Sequence, residues 1–590
     1  MIQPISERLD RSSATMPEGA VVGYARALLV DAGCTGATPT ISVWTAPQGE
    51  GTPVMWGGDG QLSWAYFGAQ HPRTRSREAL SLPWLRRLLQ STTLARDLSG
   101  VFALIVVDKQ THQILVVGDR LGVQGVHYGF DSLGRWRAST HLMWLLLASG
   151  HDGSVHEDGF LSHMAFGYGV DPSRDVYMGI RTLSPSGYAS FQRDRVTRGT
   201  YWDAPEPAAS VSLDDVAELV DALRVGITTT SGGLEPFVGL TAGKDSLCLA
   251  AVMPEARPIR AGTLGATGCA DHEQAVSVAS RLGWTHVAEG VCDSSEFWHW
   301  ADHVAFQSAG LATASYADMA AFVAKRVPTG SAFVMGEGGE CVRDFFRADE
   351  RRSVVDRLVG DYMTPVAYLQ ATLGATGRSQ LVEYPHRLIA SLRATLDTRD
   401  DAHFVSNFYR FQRMAGNFSL RNAVLGTIRP KVSPFLDSRF IDATYGVSLA
   451  EHVASAMHRR IIVLANGALL PYFDSPVQSR ITTQQWPVRL PALAGEFESR
   501  MRQLGVFADD VLDPVGMHDL SVAMRRQPDR AGYHLFRLYS FVAARALLRV
   551  DAATRLRAIQ RECQLTTATI NSRTAAAESH PTNATVRQIV

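Results

Sequence analysis

Cysteine is sparse and unpatterned. The chain has six, Cys34, Cys248, Cys269, Cys292, Cys341 and Cys563, with no CxxC spacing among them. That excludes a disulfide framework and a zinc site built on paired cysteines, and leaves buried thiols. Net charge is also small: a formal value of -1 over 590 residues offers no bulk attraction for nucleic acid or an anionic membrane, so any phosphate binding has to be local. No apolar run reaches the length of a membrane span, and the best candidates, Val101 to Val107 and Leu142 to Ala148, are strand- or helix-sized. The opening MIQPISERLDRSS has no apolar centre of the kind a signal peptide needs, which predicts a cytoplasmic protein.

What remains is an ordinary globular composition, 46% hydrophobic and 19% charged, in a chain too long for one core. Its organising stretch is FVGL, Phe237 to Leu240, followed at once by TAGKDS, Thr241 to Ser246, and the apolar run Leu247 to Val252. The pattern predicts a buried strand, a tight turn of small residues and the first turns of a helix. Backbone N–H groups of such a turn, with the positive end of the helix behind them, can surround a polyphosphate. Thr241 and Ser246 add hydroxyls and Lys244 a cation. Asp245 repels phosphate unless a metal bridges the two, so the stretch implies Mg2+. An ordinary strand-to-helix turn is the plainer reading of the same residues.

A second loop has comparable content. In SAFVMGEGGECVRDFF, Ser331 to Phe346, an apolar strand ends in two carboxylates, Glu337 and Glu340, set three residues apart among glycines. Neighbouring carboxylates repel and require a cation or a shared proton. Asp245 and Glu340, from two strand ends, are what one Mg2+ bridging ATP phosphates requires; a solvated acidic turn is the alternative. Strands near Ile259 to Leu264 and His286 to Ala288, with a helix over Asp271 to Leu282 between them, predict a parallel sheet with ligands at its carboxyl ends. Asp271 reads as the N-cap of that helix, and Arg343 to Arg352 as a solvated charged face. Earlier in the chain, Leu98 to Asp108 and Ile114 to Arg120 read as a hairpin, while Val21 to Val30 fits either a strand or a short helix. Ser212 and Asp215 form a capping pattern for a helix carrying Val216, Leu219, Val220, Leu223 and Ile227.

TAGKDS resembles the SGGxDS pyrophosphate loop of the ATP-pyrophosphatase superfamily that includes asparagine synthetase and β-lactam synthetase, with Thr241 and Ala242 in place of Ser and Gly. GEGGE resembles the GEGADE of asparagine synthetases, and SPFLD, Ser433 to Asp437, their VPFLD, with Asp437 in a structural role. LSGVFALIVVD, GDRLGVQGVHY, LSPSGYASF and YWD resemble, in order, the later part of the glutamine amidotransferase domain of the same enzymes. The resemblance covers roughly 98–481. It implies a degenerate amidotransferase-like domain of the Ntn-type αββα fold over 1–203 and a parallel α/β ATP-pyrophosphatase domain over 213–563; composition rich in Pro, Ala and Ser reads as a linker at 204–212, and composition rich in Ala, Thr and Ser as a disordered tail at 564–590.

It also implies roles. Leu240, Thr241, Ala242, Gly243, Lys244, Asp245 and Ser246 would hold ATP phosphates, Thr263, Leu264 and Gly336 would line the nucleotide, and Asp245 and Glu340 would bind Mg2+. Glu337 would meet the acyl-adenylate and the attacking amine. The family's late lysine has no counterpart, since no Lys follows Lys431; Arg480, if not a plain surface residue, stands at the expected place, and Lys244 can compensate from the other side. The family's N-terminal nucleophilic Cys is absent, with Ile2 at position 2, so the expected nitrogen source is an amine on the substrate itself. Altogether the sequence looks most like a lasso peptide cyclase, which adenylates an Asp or Glu side chain of a core peptide and closes it onto the N-terminal amine, releasing AMP and PPi. Such an enzyme works with a precursor peptide, a leader peptidase and a leader-recognition protein, and with neither nucleic acid nor membrane. A small-molecule ligase of β-lactam or asparagine type, and a scaffold without turnover, are the other readings.

Overall fold

The computed structural model describes residues 21–32, 39–46, 50–68, 80–171, 175–193, 195–205, 212–228, 234–254, 259–265, 268–343, 353–362, 368, 383–396, 400–448, 452, 455–474, 493, 496–504, 518, 520, 522, 528–550 and 586–589. Two sheets organise them. The N-terminal sheet is antiparallel and runs, edge to edge, through Arg195–Thr200, Gly187–Gln192, Gln113–Gly118, Ala103–Asp108, Leu62–Phe67, Thr52–Gly58, Val21–Asp31, Trp136–Ser139, His127–Phe130 and Ile180–Thr182, with Thr40–Ala46 also on Val21–Asp31. Val21 to Val30, open between helix and strand in the sequence, is a strand. The hairpin Ala103–Asp108 and Gln113–Gly118 is buried along almost its whole length, which accounts for apolar runs without clear alternation.

The second sheet is parallel, in the order Thr285–Glu289, Arg260–Leu264, Glu235–Gly239, Ser331–Val334, Lys431–Val432. Its central strand leads into the helix Lys244–Val252, and its neighbour Ser331–Val334 into the glycine loop. The two chemistry-bearing loops therefore leave adjacent strands at the same edge. The helix Leu213–Thr228 starts as expected: Ser212 N donates to Asp215 Oδ2 at 2.6 Å, and Asp215 N to Ser212 Oγ at 3.1 Å.

One apolar cluster joins the halves. Trp144 meets Phe306 edge-on at 5.4 Å, and Phe541, on the helix Pro528–Arg549, packs on Phe160 at 4.9 Å. Polar ties reinforce the seam: Ser99 Oγ donates to Asp437 Oδ2 at 3.0 Å, and Thr52 Oγ1 to the Gly426 carbonyl at 3.1 Å. Asp437 also caps the helix Ser438–Thr444, the structural role expected of it. At the other end of the chain, Val586–Ile589 does not trail away but pairs antiparallel with Thr40–Ala46. The remainder of the expected tail, and most of the 204–212 linker, lie outside the described residues.

Candidate active site

Three carboxylates gather where the central strands end; Asp245 and Glu340 share one arginine, and Glu337 has two cations of its own. Asp245 opens the helix Lys244–Val252. Its Oδ1 accepts from His458 Nε2 at 2.7 Å and its Oδ2 from Arg343 Nη2 at 3.1 Å. The same Arg343 nitrogen lies 3.3 Å from Glu340 Oε1. Burial works to raise the Asp245 pKa, but Arg343 and His458 outweigh it and hold the carboxyl below its usual range. Glu340, with burial and the Asp245 charge acting together, is pushed up. Arg343 thus serves as a charge clamp in this cluster, not as part of a solvated helix face.

Glycine makes this approach possible. A Cβ on Gly339 would stand 2.2 Å from Asp245 Oδ1, and one on Gly336 2.9 Å from Asp245 Cβ. The GEGG turn lies directly against Asp245, so Gly336 borders the acidic residue itself.

Glu337 is 5% exposed and is held by Lys431, by Arg421 Nη1 at 3.0 Å and by Ser433 Oγ at 3.5 Å. Burial would raise its pKa, yet Lys431 and Arg421 together bring it below normal. Lys431 is 6% exposed, and burial lowers its own pKa against the pull of Glu337. It belongs to the last strand of the parallel sheet, where it pairs with Phe333, four residues before Glu337. Arg421 lies over Tyr316 and Phe418, on the helix that follows an 11-residue π-helix, Phe408–Phe418. The wider turn of a π-helix re-aims side chains. Here Arg410 Nη2 donates to the Cys341 carbonyl at 2.9 Å, and Tyr409 faces Glu340.

The loop of Thr241 to Ser246 is internally bonded. Thr241 N donates to Ser246 Oγ at 3.2 Å, Gly243 N to Thr241 Oγ1 at 3.0 Å, and Ser246 Oγ to the Gly243 carbonyl at 2.9 Å. Ala242 N donates to Asp271 Oδ1 at 2.8 Å. Asp271 is accordingly not the N-cap of its helix: Cys269 holds that position, and Asp271, in the first turn and 2% exposed, reaches across to the loop. Lys244 Nζ rests 4.7 Å from the centre of the Phe473 ring. Leu240 is buried, with its N–H on the Gly262 carbonyl, and Thr263 Oγ1 stands 2.9 Å from His286 Nε2. Leu264 ends the strand beside them. Arg480 lies outside the described residues.

Among the described residues, no group of three or more His, Cys, Asp or Glu side chains is arranged to hold a metal ion. The two-carboxylate pair does suit Mg2+, which takes a few protein oxygens and completes its shell with phosphate and water. Asp245 and Glu340 both face one position, and Arg343 Nη2 sits at it. Reasoning from sequence found the three acids and missed their partners, the cations Lys431, Arg421 and Arg343 and the imidazole of His458. A signal existed for Lys431, since a lysine inside an apolar strand such as IRPKVSPF is costly unless paired.

Fold and site define a mixed α/β protein with a glutamine-amidotransferase-like N-terminal domain and a parallel sheet in the C-terminal part. Among known families, the glutamine amidotransferase domain matches residues 89–202. No curated protein matches the chain. Similar solved structures include a glutamine phosphoribosylpyrophosphate (PRPP) amidotransferase from B. subtilis complexed with ADP and GMP, at 9% identity over 45% of this chain and 60% of that one, with a TM-score of 0.19. Another is described as the allosteric regulatory enzyme of purine biosynthesis, at 7% identity over 45% of this chain and 75% of that one, with a TM-score of 0.18. The chain therefore spans about three fifths of the first structure, and overlays this loose carry no argument about activity. No helix among the described residues is long and apolar enough to cross a membrane.

Proposed function

We propose that the protein is an ATP-dependent, AMP-forming amide ligase that closes a peptide into a macrolactam, as lasso peptide cyclases do. The observation that carries the reading is the grouping of Asp245, Glu340 and Glu337 at the ends of adjacent strands of a parallel sheet, with three cations and the imidazole of His458 among them. A substrate carboxylate oxygen attacks the α-phosphorus of ATP and PPi leaves; an amine nitrogen then attacks the acyl carbon and AMP leaves. Thr241, Ser246 and the start of the helix Lys244–Val252 lie toward the departing pyrophosphate. Asp245 and Glu340 would hold Mg2+, which when bound neutralises phosphate charge. Glu337 receives the amine. Its lowered pKa makes it a weak base, which suffices because the nitrogen is strongly acidic once bonded to the acyl carbon. Lys431 and Arg421 keep that carboxylate ionised and aimed, and supply the positive charge that the sequence reading assigned to Arg480.

The test is mass spectrometry of the full chain with ATP, Mg2+ and leader-free peptides encoded beside its gene. AMP, PPi and a peptide lighter by one water, all absent with Asp245→Ala, are the expected result. AMP without peptide change points to a small-molecule acid and amine. No turnover with any peptide overturns the ligase reading in favour of a binding scaffold.

A further inference from the structure

A buried loop of the N-terminal domain reaches toward the candidate site. Asp119, 2% exposed, accepts backbone N–H groups from Leu121 at 3.1 Å, Val123 at 3.1 Å and Gln124 at 2.6 Å, and so shapes a buried loop. Within it Gly122 has φ +67°, and a Cβ there would stand 3.1 Å from the Ala415 methyl on the π-helix. Gln124, at the end of the loop and 5% exposed, accepts from Asn422 Nδ2 at 3.0 Å. Asn422 is 7% exposed and directly follows Arg421, whose guanidinium holds Glu337 at 3.0 Å. Close by, Arg120 Nη1 donates to the Ser438 carbonyl at 3.2 Å, beyond the segment that carries Lys431.

We infer that Gln124 is a positioning residue: through Asn422 it fixes the helix that aims Arg421 at Glu337, so the amidotransferase-like domain sets the charge environment of the ligase carboxylate. The assignment rests on the ligase reading for the role of Glu337, but not for the brace itself. An amide pair buried on both sides has no water to substitute for the lost bond, so its geometry is held firmly. An unbraced Arg421 spends less time on Glu337, and a carboxylate that loses part of its cation pairing takes up its proton at higher pH.

The test uses the full chain with Gln124→Met, which keeps the volume and removes the acceptor, and Asn422→Leu as the second variant. Hydrogen exchange of residues 408–425 should quicken about tenfold in either variant, while exchange in Ala103–Asp108 stays at the wild-type rate. With a peptide that supports turnover, kcat for AMP release should fall about tenfold at an unchanged KM for ATP, and the acid limb of the pH–rate profile should move up. The double variant should cost no more than either single one. Unchanged exchange at 408–425, or a loss confined to the KM for ATP, overturns the brace. If the wild type forms no AMP with any peptide, the ligase reading fails, and the exchange experiment alone decides the brace.

Discussion

Arg421 Nη1 stands 3.0 Å from Glu337 Oε1, while Lys431 holds the opposite oxygen of the same buried carboxylate. Two cations on one acid leave a net positive charge in a dry place, at the carboxyl end of a parallel sheet, where α/β folds commonly place their ligands. The arrangement keeps Glu337 ionised under conditions in which burial alone would protonate it.

Lys431→Met tests that balance. Glu337 retains Arg421, so the loss should be about 1–3 kcal/mol rather than the larger penalty of an orphaned charge. A depressed carboxylate pKa contributes stability above its unfolded value that is lost as pH falls through the folded value. Removing Lys431 raises the folded pKa and narrows that window, so urea unfolding should show a deficit at pH 7 that shrinks toward pH 4. A deficit constant across pH would mean that the lysine acts through packing alone.

Short buried strands announce themselves by composition, and for that reason FVGL, SAFV and the loops after them were readable from the sequence. Asp245, Glu337 and Glu340 stood out because carboxylates among glycines at strand ends have few structural uses. Their partners did not, because Arg421, Lys431 and His458 arrive from distant segments, and no periodicity reports which distant side chain meets which. Asp271 shows the same limit: the first turn of a helix is a normal place for an acid, and only the tertiary fold aims it at Ala242. Val21 to Val30 stayed ambiguous since its loose alternation, interrupted by Gly23 and Arg26, does not separate strand from short helix.

Gly339→Ala should uncouple activity from folding. The added methyl would stand 2.2 Å from Asp245 Oδ1, the end of a side chain that can rotate away. The fold should persist, with a cost of about 1–3 kcal/mol, whereas Asp245 loses its alignment with Arg343 and His458. We expect normal circular dichroism and AMP formation reduced to the level of Asp245→Ala. Full activity in a folded Gly339→Ala protein would contradict the placement of Asp245 in the site.

His163, fully buried on the helix Glu157–Phe166, should make the protein acid-sensitive. Burial and the neighbouring Arg537 bring its pKa down to about 3. A depressed histidine refuses a proton that the unfolded chain accepts near pH 6.5. Its contribution is therefore complete above that pH and is lost as pH falls toward 3, at up to about 1.4 kcal/mol per pH unit. Unfolding free energies at pH 7 and pH 5 should differ by about 2 kcal/mol less in His163→Leu than in wild type. Equal differences would show that this imidazole is not held neutral against the helix Pro528–Arg549.

Arg343 separates two acids that would otherwise repel, and it occupies the point both of them face. Mg2+ at that point has to displace the guanidinium, and part of its binding energy goes into that exchange. Arg343→Met removes the competitor and leaves Asp245 with His458 and Glu340 with Tyr409. The pair should then favour a divalent cation more strongly, by about tenfold in Kd, since a vacated positive charge beside two carboxylates is worth on the order of 1–2 kcal/mol to an incoming ion. Titrating Mn2+ into the full chain and following its paramagnetic resonance signal measures this without any substrate. Glu340→Gln in the same background should return the affinity toward that of wild type. If Arg343→Met binds Mn2+ no better than wild type, the carboxylates serve the arginine and not a metal, and the proposed ligase reaction would have to neutralise phosphate with the protein's own cations.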